Sequence, residues 1–300
     1  MRFHLWIAAC ALLCARDATA RELFVDNVAG NDSSNGLFET WQSTAGPMRS
    51  LGRALSVATP GDRIVLVNSG APYREMISLS SGRHNGDASQ PFTIDGRGAT
   101  LDGSRAVPVE AWESFAGPVF RFRPPRMAFQ QLFRDSRPLV RRVADVDGRL
   151  PDLAPLEWCL HDGWVYFRVE AGKLPGDYGL TYAGLQTGIT LYHVHGLVIA
   201  NLTVQGFQLD GINAVDGVRD CRLQNVVCRG NGRAGLTVAG SSQVDLVGSL
   251  LGNNGEAQLR TEAWSLTRVA GSQLLDNTAP PLVRVGGRIL VDGEPVNSIP

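Results

Sequence analysis

Broken at their own recurrences, residues 189–293 read ITLYHVHGLVIANLTVQGFQLDG (189–211), INAVDGVRDCRLQNVVCRGNGRAG (212–235), LTVAGSSQVDLVGSLLGNNGEAQ (236–258), LRTEAWSLTRVAGSQLLDNTAPPL (259–282) and VRVGGRILVDG (283–293). Apolar residues fall into columns. Ile189, Ile212, Leu236, Leu259 and Val283 follow at intervals of 23, 24, 23 and 24. Leu202, Val226, Leu250 and Leu274 follow at 24 each time, with a polar column, Asn201, Asn225, Ser249 and Gln273, beside them. Gly206, Gly230 and Asn254 mark a recurrent turn. A short repeat of alternating β patches separated by Gly/Asn turns makes each segment one coil of a right-handed parallel β-helix, an all-β solenoid. Like residues then stack at about 4.8 Å, the spacing between neighbouring strands. A helical solenoid would need long stretches of 3.6-residue periodicity, and Gly, Asn and β-branched residues interrupt every candidate.

The N-terminal part fits the same plan. Phe24-Val25-Asp26 reads as a first strand, followed by the polar loop Gly30–Gly36. Leu51–Ala58 (LGRALSVA) is a short amphipathic helix stopped by Pro60-Gly61-Asp62. Such a helix would plug the open end of the apolar core, which a solenoid requires. Strands are expected at Arg63–Val67, Met76–Leu79, Phe92–Asp95 and Ala99–Asp102. Val25-Asp26, GNDSSNG (30–36) and SLGRALSVATPGDRIVLVNSGAPYREMISL (50–79) together resemble the opening of secreted β-helix proteins of the pectate-lyase-like superfamily. That superfamily includes polysaccharide lyases and several families of glycoside hydrolase. The resemblance spans about 80 residues here, plus the repeats from about residue 188. It implies the fold and leaves the reaction open, because the superfamily hosts many chemistries.

Residues 104–187 break the repeat. Trp112, Val119–Phe122, Phe133, Trp158, Trp164–Phe167 and Tyr178 suggest an inserted β-rich subdomain, with Asp162-Gly163 as a hairpin turn. The block PLEWCLHDGWVYFRVEAG (155–172) is similar to insertions in β-helix glycosidases. The expected organisation is a signal peptide (1–20), an N-terminal cap with the first coils (21–103), the insertion (104–187), and regular coils with a C-terminal cap (188–300).

Among 300 residues, 28 Lys+Arg balance 29 Asp+Glu, for a net charge of −1. A nucleic-acid or acidic-membrane binder would carry a basic excess. Met1–Ala20 reads as a secretory signal: Arg2, an apolar run from Leu5 to Ala15, and Ala18-Thr19-Ala20 as a small-x-small cleavage site. An alternative is a lipobox, Ile7-Ala8-Ala9-Cys10, which would lipidate Cys10. No later run is long enough to span a membrane. A secreted or periplasmic monomer acting on a polysaccharide is expected. Cys10 and Cys14 would leave with the signal. Cys159, Cys221 and Cys228 would remain, with no zinc-type spacing, and read as small buried residues.

Enzymes of this superfamily place their chemistry on the outer face of one sheet. If Ile212, Leu236, Leu259 and Val283 point inward, alternation turns Thr190, Asn213, Thr237, Arg260 and Arg284 outward. A second outward column is Tyr192, Val215, Ala239, Glu262 and Gly286. Two stacked arginines suit a uronate or sulfate; the competing reading is a solvated face with a surface ion pair. His193 and His195 share one face, without an evident third metal ligand.

Leu209-Asp210-Gly211 is similar to the aspartate-bearing strand entry of polygalacturonases. The next coil carries Arg233-Ala234-Gly235 instead, and neither the paired aspartates nor the Gly-His-Gly of that family is present. Asp-Gly before a strand is also an ordinary turn. Glycoside hydrolysis wants two carboxyl groups, about 5–5.5 Å apart for retention or about 6.5–9.5 Å for inversion. Asp210 and Glu256 are the candidate catalytic pair: two coils at about 4.8 Å would set them about 9.6 Å apart. Arg233, 23 residues from each, would lie between them, in a catalytic pair or in a purely structural Asp–Arg–Glu ladder. Arg233, Arg260, Arg284, Glu262, Tyr192, Asn213 and Trp164 are the candidate sugar-binding residues.

A lyase would need a base and a means of neutralising a uronate, often Ca²⁺. The chain's one lysine, Lys173, sits in the insertion, and no Ca²⁺-type carboxylate cluster appears among Asp216, Asp220 and Asp245. Three readings follow in order: a glycosidase-like protein without a cofactor, a lyase with Ca²⁺, and a non-catalytic glycan-binding or structural β-helix.

Overall fold

The structure is a computed structural model that describes residues 20–125, 129–144 and 149–296. The expected signal segment, with Cys10 and Cys14, lies outside the described residues except for Ala20. Three parallel sheets wind around one core. The nine-stranded sheet runs Glu22–Val25, Arg63–Leu66, Phe92–Asp95, His195–Ala200, Arg219–Gln224, Gln243–Val247, Leu266–Ala270 and Arg288–Val291, and closes with the antiparallel strand Glu294–Val296. The six-stranded sheet runs Ile77–Ser80, Ile189–Tyr192, Asp210–Asp216, Ala234–Val238, Ala257–Thr261 and Leu282–Arg284. The corner sheet runs Thr100–Asp102, Thr203–Gln205, Val227–Arg229, Leu250–Gly252 and Gln273–Leu274. This is a right-handed parallel β-helix.

The core is a ladder of aliphatic side chains. Ile189, Ile212, Leu236 and Leu259 stack in direct register and are fully buried. The amphipathic helix forms over Leu51–Val57, with Leu51, Ala54 and Leu55 on the core. Ser50 caps it by accepting from the Arg53 N–H, and the Glu75 carboxylate accepts from the Leu51 and Gly52 N–H groups.

Two sequence columns drift by a residue. Leu259 is opposite Leu282, not Val283, so the last coil has 23 residues where 24 were expected. Val227 is opposite Leu250 and Leu251 opposite Leu274, so Leu250 is not in the column of Val226. The polar ladder is therefore Asp95–Asn201–Asn225: Asn201 donates to the Asp95 carboxylate at 2.9 Å and Asn225 to Asn201 at 2.8 Å. Ser249 does not continue it; its hydroxyl accepts from the Val226 N–H instead.

A second, buried ladder runs at the turns. Asn231 and Asn254 are both 0% exposed. The Asn231 Oδ1 accepts from the Phe207 N–H, and the Asn254 Oδ1 accepts from the backbone and side-chain nitrogens of Asn231. Gln258 continues it by accepting from Asn254 and donating to Asn277. Each side chain satisfies turn N–H groups that no strand reaches.

The insertion starts and ends at one point. The Gly184 and Leu185 N–H groups both donate to the Gly103 carbonyl, at 3.1 and 2.9 Å. Between them lie a four-stranded sheet (Ser104–Ala106, Leu132–Arg134, Arg137–Pro138, Thr181–Ala183) and a five-stranded sheet (Glu113–Ala116, Val119–Phe122, Arg141–Arg142, Trp158–His161, Trp164–Arg168). Asp162 and Gly163, both at positive φ, turn the hairpin between the last two strands. Leu132, Trp158, Phe167 and Phe122 build a core separate from that of the coils.

Candidate functional site

The site is the outer face of the six-stranded sheet. Thr190, Asn213, Thr237, Arg260 and Val283 stand in register across it. Arg284 therefore leaves the expected column; it lies opposite Thr261 and its Nε donates to the Gly287 carbonyl at 3.0 Å. Tyr192 lies opposite Asp216, not Val215, because a bulge interrupts the register there.

The insertion walls one side. Its backbone at Phe129 lies so close to Gly232 that a Cβ on that glycine would come within 2.9 Å of it and 2.3 Å of the Gln208 carbonyl. Gly232 is thus required by close approach, and the residue after it, Arg233, is held against the sheet edge.

Asp210 opens its strand and is 0% exposed. Arg233 covers it from the next coil: Nε donates to Oδ1 at 2.9 Å and Nη2 to Oδ2. The Asn213 amide also donates to Oδ2, at 2.9 Å. Hydrogen bonding to Asp210 is the main reason that Arg233 is held above its ordinary pKa, with the Glu262 charge adding to it. A sealed carboxylate with both oxygens engaged does not reach a glycosidic bond.

Glu256 is not the second member of that cluster. Its carboxylate meets Arg141 of the insertion at 3.2 Å, and Arg141 in turn packs over the Trp158 ring, 5.7 Å from its centroid. Arg233 thus bridges Asp210 alone, and neither the expected catalytic pair nor the three-residue ladder forms. Arg260 donates to Glu262 at 2.5 Å. Arg233, Arg260 and Arg141 each have a carboxylate of their own. Between these pairs, the Asn213 Oδ1 and Thr237 Oγ1 are buried without a hydrogen-bond partner, on adjacent strands.

Trp164 belongs to the insertion. It packs on the Leu153, Cys159 and Tyr166 cluster, with the Arg121 guanidinium 4.2 Å from its ring centroid. The histidines also part. His193 meets the Tyr192 ring edge to face, with centroids 4.3 Å apart, while the His195 Nδ1 is 3.0 Å from the Gly86 carbonyl. Among the described residues, no group of three or more His, Cys, Asp or Glu is placed to hold a metal ion. Cys159, Cys221 and Cys228 are free and buried, and burial pushes the Cys221 and Cys228 thiols up to about 12.

One residue escaped the sequence reading. Trp264 is 91% exposed at the turn after Ala257–Thr261, on the rim of the same face. A bulky aromatic in a turn two residues beyond Glu262 was the available signal.

Comparison with known proteins agrees on architecture. No protein-family model matches the chain, and no curated protein does. Among solved structures, a glycoside hydrolase superposes with a TM-score of 0.59 at 12% identity, over 84% of this chain and 73% of its own. A complex of XylC with xylose gives 0.46 at 11% identity, over 90% and 69%. A lacto-N-biosidase from Eubacterium ramulus gives 0.44 at 11% identity, over 84% and 40%. The first of these shares the fold of this chain. No helix among the described residues is long and apolar enough to cross a membrane.

Proposed function

We propose that the protein is a carbohydrate-active β-helix protein that holds an uncharged stretch of an extracellular polysaccharide along the outer face of the six-stranded sheet. The observation that carries this is the charge balance of the face. Arg233 is bound to Asp210, Arg260 to Glu262 and Arg141 to Glu256. Arginines already satisfied by carboxylates present no surplus charge to a uronate. What the face offers instead is the half-buried Thr190 and Asn213 and the partly exposed Glu256 and Glu262 carboxylates, which match sugar hydroxyls, beside exposed aromatic rings. The similar fold of a glycoside hydrolase supports the same class of ligand.

Hydrolysis is the second reading, favoured by the accessibility of two other carboxylates. The side chains of Glu256 and Glu262 are 44% and 32% exposed, on and beside this face. In that reading they would flank the bond, and Asp210 would serve as a positioning residue that fixes Arg233.

The test is a screen of residues 21–300 against soluble polysaccharides. It follows binding, reducing ends and unsaturated-uronate absorbance together, with and without Ca²⁺. Binding to a neutral glycan without either product is the expected result. Reducing ends that disappear in Glu262→Gln or Glu256→Gln would make the protein a hydrolase. Absorbance from a uronate polymer would overturn the proposal in favour of a lyase.

A further inference from the structure

Along the rim where the strands of the six-stranded sheet turn towards the nine-stranded sheet, two aromatic rings stand out from the surface. Tyr192 is 50% exposed and Trp264 is 91% exposed. They sit on the coils of Ile189–Tyr192 and Ala257–Thr261, three strand steps apart through Asp210–Asp216 and Ala234–Val238. At the strand spacing this separates them by about 14 Å along the helix axis.

The floor between them is low and polar. Gly217 lies directly beneath the His193 ring, where a Cβ would come within 2.6 Å of Nδ1. Gly240 lies beneath the Asp216 carboxylate, where a Cβ would come within 2.2 Å of Oδ1. That carboxylate accepts from the Ser241 N–H and hydroxyl and from the Gly217 N–H, so it stays ionised and fixed in direction, below its ordinary pKa. Half of its surface remains open, and Oδ2 faces the His193 Nε2 at 4.0 Å.

The backbone reinforces the pattern. The four successive turns each hold a residue at positive φ: His193 at 53°, Gly217 at 62°, Gly240 at 58° and Ala263 at 52°. Glycine takes this conformation without strain, and the two middle turns use it. His193 and Ala263 do not have that freedom, and they are the two that adjoin Tyr192 and Trp264. A non-glycine residue kept in the left-handed region needs the surrounding structure to hold it there. Here it fixes the chain beside each exposed ring.

We propose that this rim is an oligosaccharide-binding saddle, in which Tyr192 and Trp264 stack on sugar rings at either end and Asp216 and Ser241 hydrogen-bond the hydroxyls between them. The saddle rests on the reading of the protein as glycan-binding and deepens it, by fixing the ligand as a short extended oligosaccharide lying along the helix axis. An aromatic face suits the apolar face of a sugar ring, and a fixed ionised carboxylate is a strong acceptor for paired hydroxyls. A separation of three coils excludes a single sugar as the full ligand.

The experiment is calorimetric titration of the whole chain with neutral oligosaccharides of increasing length, prepared from xylan and from β-glucan. Wild type is compared with Trp264→Ala, Tyr192→Ala and, as a control exposed on the neighbouring coil, Val285→Ala. Trp264 and Tyr192 are exposed, so their truncation leaves the core intact, and the thermal unfolding midpoint is checked for each variant. The expected result is affinity that rises with chain length until both rings are spanned. Each aromatic variant should lose roughly tenfold with the longer oligosaccharides, and Val285→Ala should lose nothing. Wild-type binding that both aromatic variants retain would overturn the saddle and leave the glycan-binding reading standing. Absence of wild-type binding to every glycan tested would overturn both.

Discussion

Arg233 occupies both oxygens of Asp210, and the pair lies where the insertion presses on the entry turn. Removing one partner strands the other charge out of water, so Asp210→Ala should lower the unfolding free energy by about 3–5 kcal/mol in urea. A variant as stable as the parent would show that the pair carries no such load. His84 gives a second residue-scale prediction. Its Nδ1 accepts from the Ser80 N–H, and its Nε2 faces the Leu55 carbonyl at 3.1 Å, an arrangement that only the neutral ring satisfies. Burial holds its pKa below the ordinary 6.5. The unfolded chain then takes up the proton first, so this contribution is complete above 6.5 and fades as the pH falls through the depressed folded value. Stability should therefore drop as the pH falls below 6.5, and His84→Gln should flatten that slope. The sequence singled out Asp210 by its place before a strand. Its burial was not legible, because Phe129 and Gly232 are brought together by a contact across about a hundred residues.

At the scale of the coil, the strand that repeats most faithfully was also the easiest to read. Ile189, Ile212, Leu236 and Leu259 align as the sequence arranges them, because each fills the same slot in the core. Columns farther along each coil drifted, because the turns differ by a residue and a fixed period carries that error forward. The Leu250 misalignment arises in this way, and in the last coil the same one-residue difference shifts Val283 out of the first column as well. The buried ladder of Asn231 and Asn254 was within reach: both precede a glycine, Gly232 and Gly255, and they lie 23 residues apart. Asn231→Ala would leave the Phe207 N–H without its acceptor inside the core and take one of two donors from the Asn254 Oδ1. The loss should be about 1–3 kcal/mol, read as a lower urea midpoint with an unchanged slope. An exposed site such as Ser241→Ala should change the midpoint far less.

Across the whole molecule, the strand pairing of the coils runs on past the insertion. Ile77–Ser80 pairs with Ile189–Tyr192, Phe92–Asp95 with His195–Ala200 and Thr100–Asp102 with Thr203–Gln205, as if nothing lay between them. With Gly103 bonded to Gly184 and Leu185, the insertion leaves and rejoins the coils at one point and has its own core. Replacing residues 105–183 by a short Gly-Ser link should therefore leave a folded β-helix, with its strand signature by circular dichroism and a single cooperative unfolding transition. A chain that no longer folds would show that the insertion is part of the scaffold. The lapse of the repeat and the run of aromatics mark residues 104–187 in the sequence, but the pairing across them had no local signal. The same closure orders events on the ribosome. Ile77–Ser80 and Thr100–Asp102 each end their sheet and have a single strand neighbour, which is encoded roughly a hundred residues later, so at about 5–20 residues per second each waits for seconds with an open edge. During that interval the insertion can condense on its own, standing as a bulky guard beside the unfinished coil until residue 205 emerges to cover it.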